Sequence, residues 1–246
     1  MKYTALVMTA AVKNSLRLRS IAIVSIGVVF ICVIGVATIF VTQFIVPEVN
    51  AAVPDRSVLE NFLGLILFIT SFMSIGIYSS VFAFQSMTRE KARGNIQALL
   101  ATPLAPMDIW LGKSLAVFLP GLVFAMLVTL AAFLFINYIY LVPDVGFIAT
   151  PWMIISNFIG VPLVYFALTL LVHAVGLTSK PGTGNIIAQI FLPVMIALMI
   201  NLAVRNVPNA GSWLFAVILL GVAAIIGVIV LMVRPKLTAE RIILSS

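Results

Sequence analysis

Charge is what this sequence has least of. Its 246 residues include 7 acidic and 14 basic side chains, 9% of the chain, against 63% hydrophobic residues; an ordinary soluble domain carries about 25% charge. That scarcity excludes a water-soluble globule, and the placement of the few charges shows what takes its place. No Asp, Glu, Lys or Arg occurs in six stretches: 20 to 47, 61 to 88, 114 to 143, 145 to 179, 181 to 204 and 206 to 233. Each exceeds the roughly 20 apolar residues that carry a helix across the hydrocarbon core of a bilayer. The expectation is an all-α membrane protein of six transmembrane helices forming a single domain, 1 to 246. A membrane β-barrel would alternate apolar and polar residues in segments of about ten, whereas Leu214 to Val233 is continuously apolar.

Cysteine is nearly absent too. Cys32 is the only one, which excludes an internal disulfide and a Cys-ligated metal site; inside an apolar run it is expected as a small core residue. The spans hold no Asp or Glu, so no acid/base pair and no oxygen-rich metal site can be assembled within the membrane. Catalytic residues and a bound metal are therefore not expected. The same lack weighs against an ion-coupled carrier, although carbonyl-based sodium sites stay open.

The net charge of +7 does not indicate nucleic acid, because the basic residues are spread over loop ends rather than gathered on one face. They report topology. With the amino terminus inside, Lys2, Lys13, Arg17, Arg19, Arg89, Lys91, Arg93, Lys113, Lys180, Arg234, Lys236 and Arg241 are cytoplasmic, and only Arg56 and Arg205 lie outside. This asymmetry predicts a multi-pass protein of the cell membrane with both termini in the cytoplasm.

Residues 1 to 19 pattern as an interfacial helix, with Lys2, Thr9, Lys13 and Arg17 on one side and Tyr3, Leu6, Val7 and Ala10 on another. The spans are expected at about 21 to 46, ending at Pro47, then 61 to 86, 113 to 140, 152 to 177, 184 to 204 and 212 to 233. One sizeable connection, 86 to 113, joins the second and third spans and carries the densest cluster of charge. Within it, Thr88 to Ala101 reads as a short amphipathic helix with Ile96, Leu99 and Leu100 apolar, stopped by Pro103 and Pro106.

Several motifs are tested and set aside. Gly112-Lys113-Ser114 matches the tail of a phosphate-binding loop, but Met107 stands where the first glycine belongs and no strand precedes it. Ser179 to Gly184 is a Gly/Pro turn between spans. His173, the only histidine, lies about one turn from the cytoplasmic end of span four and is expected to reach the headgroups. Gln43, Ser71, Ser74, Ser79, Asn157, Gln189 and Asn201 suit hydrogen bonds between helices. Phe68, Phe72, Ile75, Ser79 and Phe82 align on one face of span two; packing and the wall of an amphiphile's path both fit that stripe. Pro193 is expected to kink span five.

The connection also carries a resemblance. Arg89-Glu90-Lys91-Ala92-Arg93-Gly94, followed by Leu99-Leu100-Ala101-Thr102-Pro103 and then Gly112-Lys113, resembles the cytoplasmic segment of ATP-binding cassette (ABC) exporter permeases of the second type, over about 25 residues. Gln97 departs from the acidic residue often found there. The resemblance implies that 86 to 113 is a coupling segment docking on a separate ABC ATPase subunit, which would carry ATP and Mg. Arg89, Glu90, Lys91, Arg93, Gly94 and Pro103 are implied as the coupling residues, with Pro103 fixing the turn toward span three. It further implies a second permease copy, identical or paralogous, with the substrate path between the two. Phe68, Phe72 and Phe82 of span two, and Gln189 and Asn201 of span five, become candidate lining residues for an amphiphilic or hydrophobic substrate such as a lipid, peptide or drug-like molecule. The rival expectations are a membrane scaffold that passes no substrate and an ion-coupled carrier.

Overall fold

The computed structural model describes residues 3–16, 19–79, 90–91, 93–180, 183, 186–187, 189–191, 193–194, 197, 201 and 209–245. All regular structure among them is helical. In chain order the helices are α1 (Thr4–Leu16), α2 (Arg19–Phe40), α3 (Arg56–Ser79), α4 (Asn95–Leu100), α5 (Pro106–Leu141), α6 (Pro151–Thr178), α7 (Trp213–Val233) and α8 (Ala239–Leu244). Five helical paths are long and apolar enough to cross a membrane: α2 with its continuation to Val49, α3, α5, α6 and α7 with its final turn. The sequence 181 to 204 lies largely outside the described residues, and those described within it are all helical. A kink at Pro193 would fall on a stretch in which residues 192, 195 and 196 lie outside the described residues.

α3 and α6 form the interior, while α7 and the stretch Phe30–Val49 of the α2 path face mostly outward. One apolar cluster joins α3, α5, α6 and α7 through Phe68, Phe72, Phe118, Tyr165 and Phe215. A second packs the end of α2 against Leu59, Leu63, Phe133 and Ile148. Because lipid tails are as apolar as these side chains, close backbone approach matters more than apolarity in holding such helices together. Two glycines supply it. A methyl group on Gly121 of α5 would stand 2.7 Å from the Tyr78 ring of α3, and one on Gly64 would stand 2.9 Å from the Ala210 backbone.

Three π-helical segments, Val41–Ile45, Asn137–Leu141 and Ser156–Gly160, each run directly into a Val-Pro pair: Val46-Pro47, Val142-Pro143 and Val161-Pro162. In each, the valine N–H reaches back five residues, to Val41, Asn137 and Ser156. Proline has no N–H and its ring crowds the carbonyl four residues before it, so a wider turn just upstream accommodates it without breaking the helix. This corrects the expected end of span one: the helical path passes Pro47 and stops at Val49. Asn137 secures its segment by donating to the Phe133 carbonyl (3.1 Å) and accepting from the Ile148 N–H (2.8 Å).

Other expectations are revised as well. α3 begins at Arg56 rather than near 61, with Arg56 and Glu60 paired at 3.3 Å in its first turns. α5 begins at Pro106, well before 113, because Pro106 at the first helical position starts a helix rather than stopping one. Cys32 is exposed on the outer side of α2, not in a core. The buried side of α1 runs through Val7, with Leu6 exposed, because α1 lies on α5. A methyl group on Gly112 would stand 2.7 Å from Val7, and the Thr4 hydroxyl donates to Asp108 at 2.6 Å. Asp108 lies in the first turn of α5, where a carboxylate meets the positive end of the helix dipole. Gly112 thus has a packing reason unrelated to phosphate binding.

Candidate coupling site

The connection between α3 and α5 is built from the inside outward. Glu90 and Lys91 are helical, the chain turns at Arg93 and Gly94, and α4 follows. The expected continuous helix from 88 to 101 is therefore interrupted: Gly94 adopts φ +73°, a left-handed conformation that costs an L side chain about 1–2 kcal/mol. From that turn α4 drops Ile96 into the end of the bundle, where it is buried with Trp110, Ala174, Leu177, Val230, Leu237 and Ile242, and Leu100 packs beside it. Asn95, Gln97 and Ala98 stay exposed, as do Arg93 and Pro103. The segment is amphipathic, with its apolar side spent on α5, α6, α7 and α8.

Two lysines fasten the same region by charge. Glu90 forms an ion pair with Lys113, which the sequence places 23 positions on, in α5. Lys91 is buried, and its ammonium donates to the carbonyls of Gly176 (3.3 Å), Leu177 (2.9 Å) and Ser179 and to the hydroxyl of Ser245 (2.8 Å). The last carbonyls of a helix lack intrahelical partners and carry the negative end of its dipole, so a cation there satisfies both. Burial lowers the Lys91 pKa from its ordinary value; charge-assisted bonds to these carbonyls oppose that loss of hydration. Lys91 thus ties the connection to the end of α6 and to the residue after α8, and it is enclosed by its own chain. Glu90 keeps 26% of its side chain exposed.

A third tie lies one layer deeper. The Trp110 indole N–H donates to the Leu170 carbonyl (2.9 Å), and Ser114 donates to the Trp110 carbonyl (2.8 Å) while standing 3.2 Å from Nδ1 of His173. That nitrogen is also 3.0 Å from the Thr169 carbonyl. A carbonyl only accepts, so the proton sits on Nδ1. His173 is buried, which corrects its expected reach to the headgroups: small partners at 114 and 169 make room for the ring between α5 and α6. Of these ties the sequence marks Glu90, Lys91, Lys113 and His173 singly, without their partners; Ser245 and Trp110 carry no pattern that selects them. Replacing Ile96 by Val should lower thermal stability by about 0.5–1.5 kcal/mol, the usual cost of that deletion in a packed site, and a melting series in detergent checks it.

The substrate-path candidates are divided. Phe68 and Phe72 are buried within the chain: Phe68 meets Phe215 edge-on at 5.0 Å, and Phe72 contacts Tyr165 at 4.8 Å and stacks on Phe191 at 6.2 Å. Gln189 and Asn201 are helical and exposed. Arg89 and Phe82 lie outside the described residues. An apolar cavity of about 360 Å³, not foreseen from the sequence, opens between α2, α3 and α5, with Phe30, Thr70, Phe135 and Tyr140 among its walls.

A helical architecture of this kind, with a folded connection between its second and third apolar helices, is that of a multi-pass integral membrane protein. The chain belongs to the ABC-2 transporter family: the model for ABC-2 family transporter proteins matches residues 10–210. It is a membrane permease subunit, of a kind that is generally non-catalytic. Neither the search of curated proteins nor that of solved structures finds a match.

Proposed function

We propose that this chain is the transmembrane subunit of an ATP-driven exporter in the cell membrane, with six spans and both termini in the cytoplasm. It works as a pair of permease subunits, identical or paralogous, and a separate ABC ATPase carries ATP and Mg and docks on the connection. The observation that carries this reading is the attachment of the connection: the apolar side of α4 packs on the end of the bundle, and just before it Glu90 pairs with Lys113 of α5 and Lys91 binds the end of α6 and Ser245, while Arg93, Asn95, Gln97 and Ala98 face outward. A rigid, polar-faced segment seated on helix ends transmits a push from a partner, which a loose loop would absorb. Arg89, Arg93, Gly94 and Pro103 present or shape the docking surface, and Glu90 and Lys91 pass its movement into α5 and α6.

The proposed cargo is amphiphilic or hydrophobic. Gln189 and Asn201 face the path between permeases, with Phe68, Phe72 and Phe82 as the aromatic backing. Supporting this are the exposure of the two polar residues and the Phe72 to Phe191 stack that joins α3 to the span-five sequence. The test is reconstitution of the permease with an ATPase subunit of the same transport system and a fluorescent amphiphile. Nucleotide-dependent movement of the amphiphile that is weakened by Arg93→Glu supports the reading. ATP hydrolysis stimulated without any movement would favour the scaffold, and movement that follows an ion gradient and ignores nucleotide would favour a carrier.

A further inference from the structure

A second apolar recess, distinct from the cavity beside α2 and sharing Trp110 and Val230 with the cluster beneath α4, is a groove of about 830 Å³ between the start of α5, α6 and α7. Trp110, Phe166, Ala223, Gly227 and Leu231 are among its walls, and Arg234 stands at one end as the only charged residue among the described ones lining it. From Leu220 to Arg234 the groove follows α7 for about 20 Å at 1.5 Å per residue. One leaflet's share of a hydrocarbon core about 30 Å thick is about 15 Å, so a groove of that length reaches from the acyl chains to headgroup level.

We propose that this groove binds an anionic phospholipid, one acyl chain lying along α7 and the phosphate meeting Arg234. The occupant follows from the chemistry of the walls. The helices that form the groove are membrane-spanning and their outward residues Leu163, Leu220, Val228 and Leu231 are apolar, so the bilayer is what reaches it. Apart from Arg234, the one side-chain hydrogen-bond donor among the described residues lining it, the Trp110 indole, is committed to the Leu170 carbonyl. The walls therefore suit a hydrocarbon chain, and Arg234 supplies the single charge. Among the described residues no carboxylate pairs with Arg234, whose exposed guanidinium is followed by an exposed Lys236. Such a guanidinium at headgroup level is matched by a phosphate, to which it can donate two parallel bonds. Gly227 keeps the recess open: a methyl group added there meets nothing within 4 Å.

Trp110 is a built-in reporter. In the full-length chain carrying Trp152→Phe and Trp213→Phe, it is the one tryptophan left of three. The protein is placed in vesicles containing either phosphatidylglycerol or phosphatidylcholine with brominated acyl chains, and quenching of Trp110 is titrated. Both lipids should quench, with the anionic one preferred about fivefold, the factor expected for one basic contact at a membrane surface. Arg234→Gln should bring that preference to about one while leaving quenching by phosphatidylcholine intact. Gly227→Phe should fill the groove and reduce quenching by both. An equal preference before and after Arg234→Gln would overturn the proposal, as would a Trp110 that neither lipid quenches. Arg234→Gln lies on the surface and decides the question even if Gly227→Phe fails to fold.

Discussion

In Glu90→Lys, ATP-driven transport should fall by at least about tenfold while the permease still reaches the membrane, and Glu90→Lys combined with Lys113→Glu should restore much of it. The single substitution sets two ammonium groups together where an ion pair stood. Breaking a buried pair costs about 3–5 kcal/mol, and the low end applies because Glu90 is 26% exposed. The double variant re-creates the pair with its polarity reversed, so a double-mutant cycle should give a coupling of about 1–3 kcal/mol. Transport assayed in vesicles for the four proteins checks this. Additive losses, with the double variant weaker than either single one, would mean that the contact transmits nothing.

The second large effect concerns Lys91. Lys91→Met keeps the length and most of the apolar stem but removes the ammonium that three carbonyls and the Ser245 hydroxyl share. Each buried acceptor left without a donor costs about 1–3 kcal/mol. Access of water at the end of the bundle moderates the sum to about 3 kcal/mol. The consequence is local as well as global. α8 is held by Ile242 in the apolar cluster and by Ser245, so residues 239–245 should lose hydrogen-exchange protection in Lys91→Met before the spans do. Uniform loss across α3, α5 and α6 would show instead that Lys91 supports the whole bundle. The family resemblance implies Lys91 as a coupling residue; its ammonium is enclosed by carbonyls of its own chain.

Much of the architecture is legible in the sequence because lipid admits so few solutions. A charge-free run longer than 20 residues can satisfy its backbone there only as a helix, and α3, α5, α6 and α7 follow directly. The turn between α4 and α5 is legible from Pro103 and Pro106, although Pro106 proves to open a helix. Less legible is anything set by a distant partner. His173 is buried because Ser114 and Thr169 fit around it, and Gly112 is required because α1 crosses there. Cys32 is exposed because α2 lies at the margin of the bundle, a position that composition does not encode. The Glu90 to Lys113 pair falls between these cases: each residue stands out in the sequence, but neither names the other. At Gly94 a helix-forming composition is overruled by one positive φ.

The central claim is that α4 is a cytoplasmic surface gripped by an ATPase. A single cysteine tests it most directly, because Cys32→Ser leaves the chain free of thiols and Ala98 on the exposed side of α4 can carry the new one. In Ala98→Cys, a membrane-impermeant maleimide should label inverted vesicles and spare right-side-out ones, and addition of the ATPase subunit should block the labelling. Labelling from the outer side of right-side-out vesicles, or full reactivity with the ATPase bound, would contradict the account.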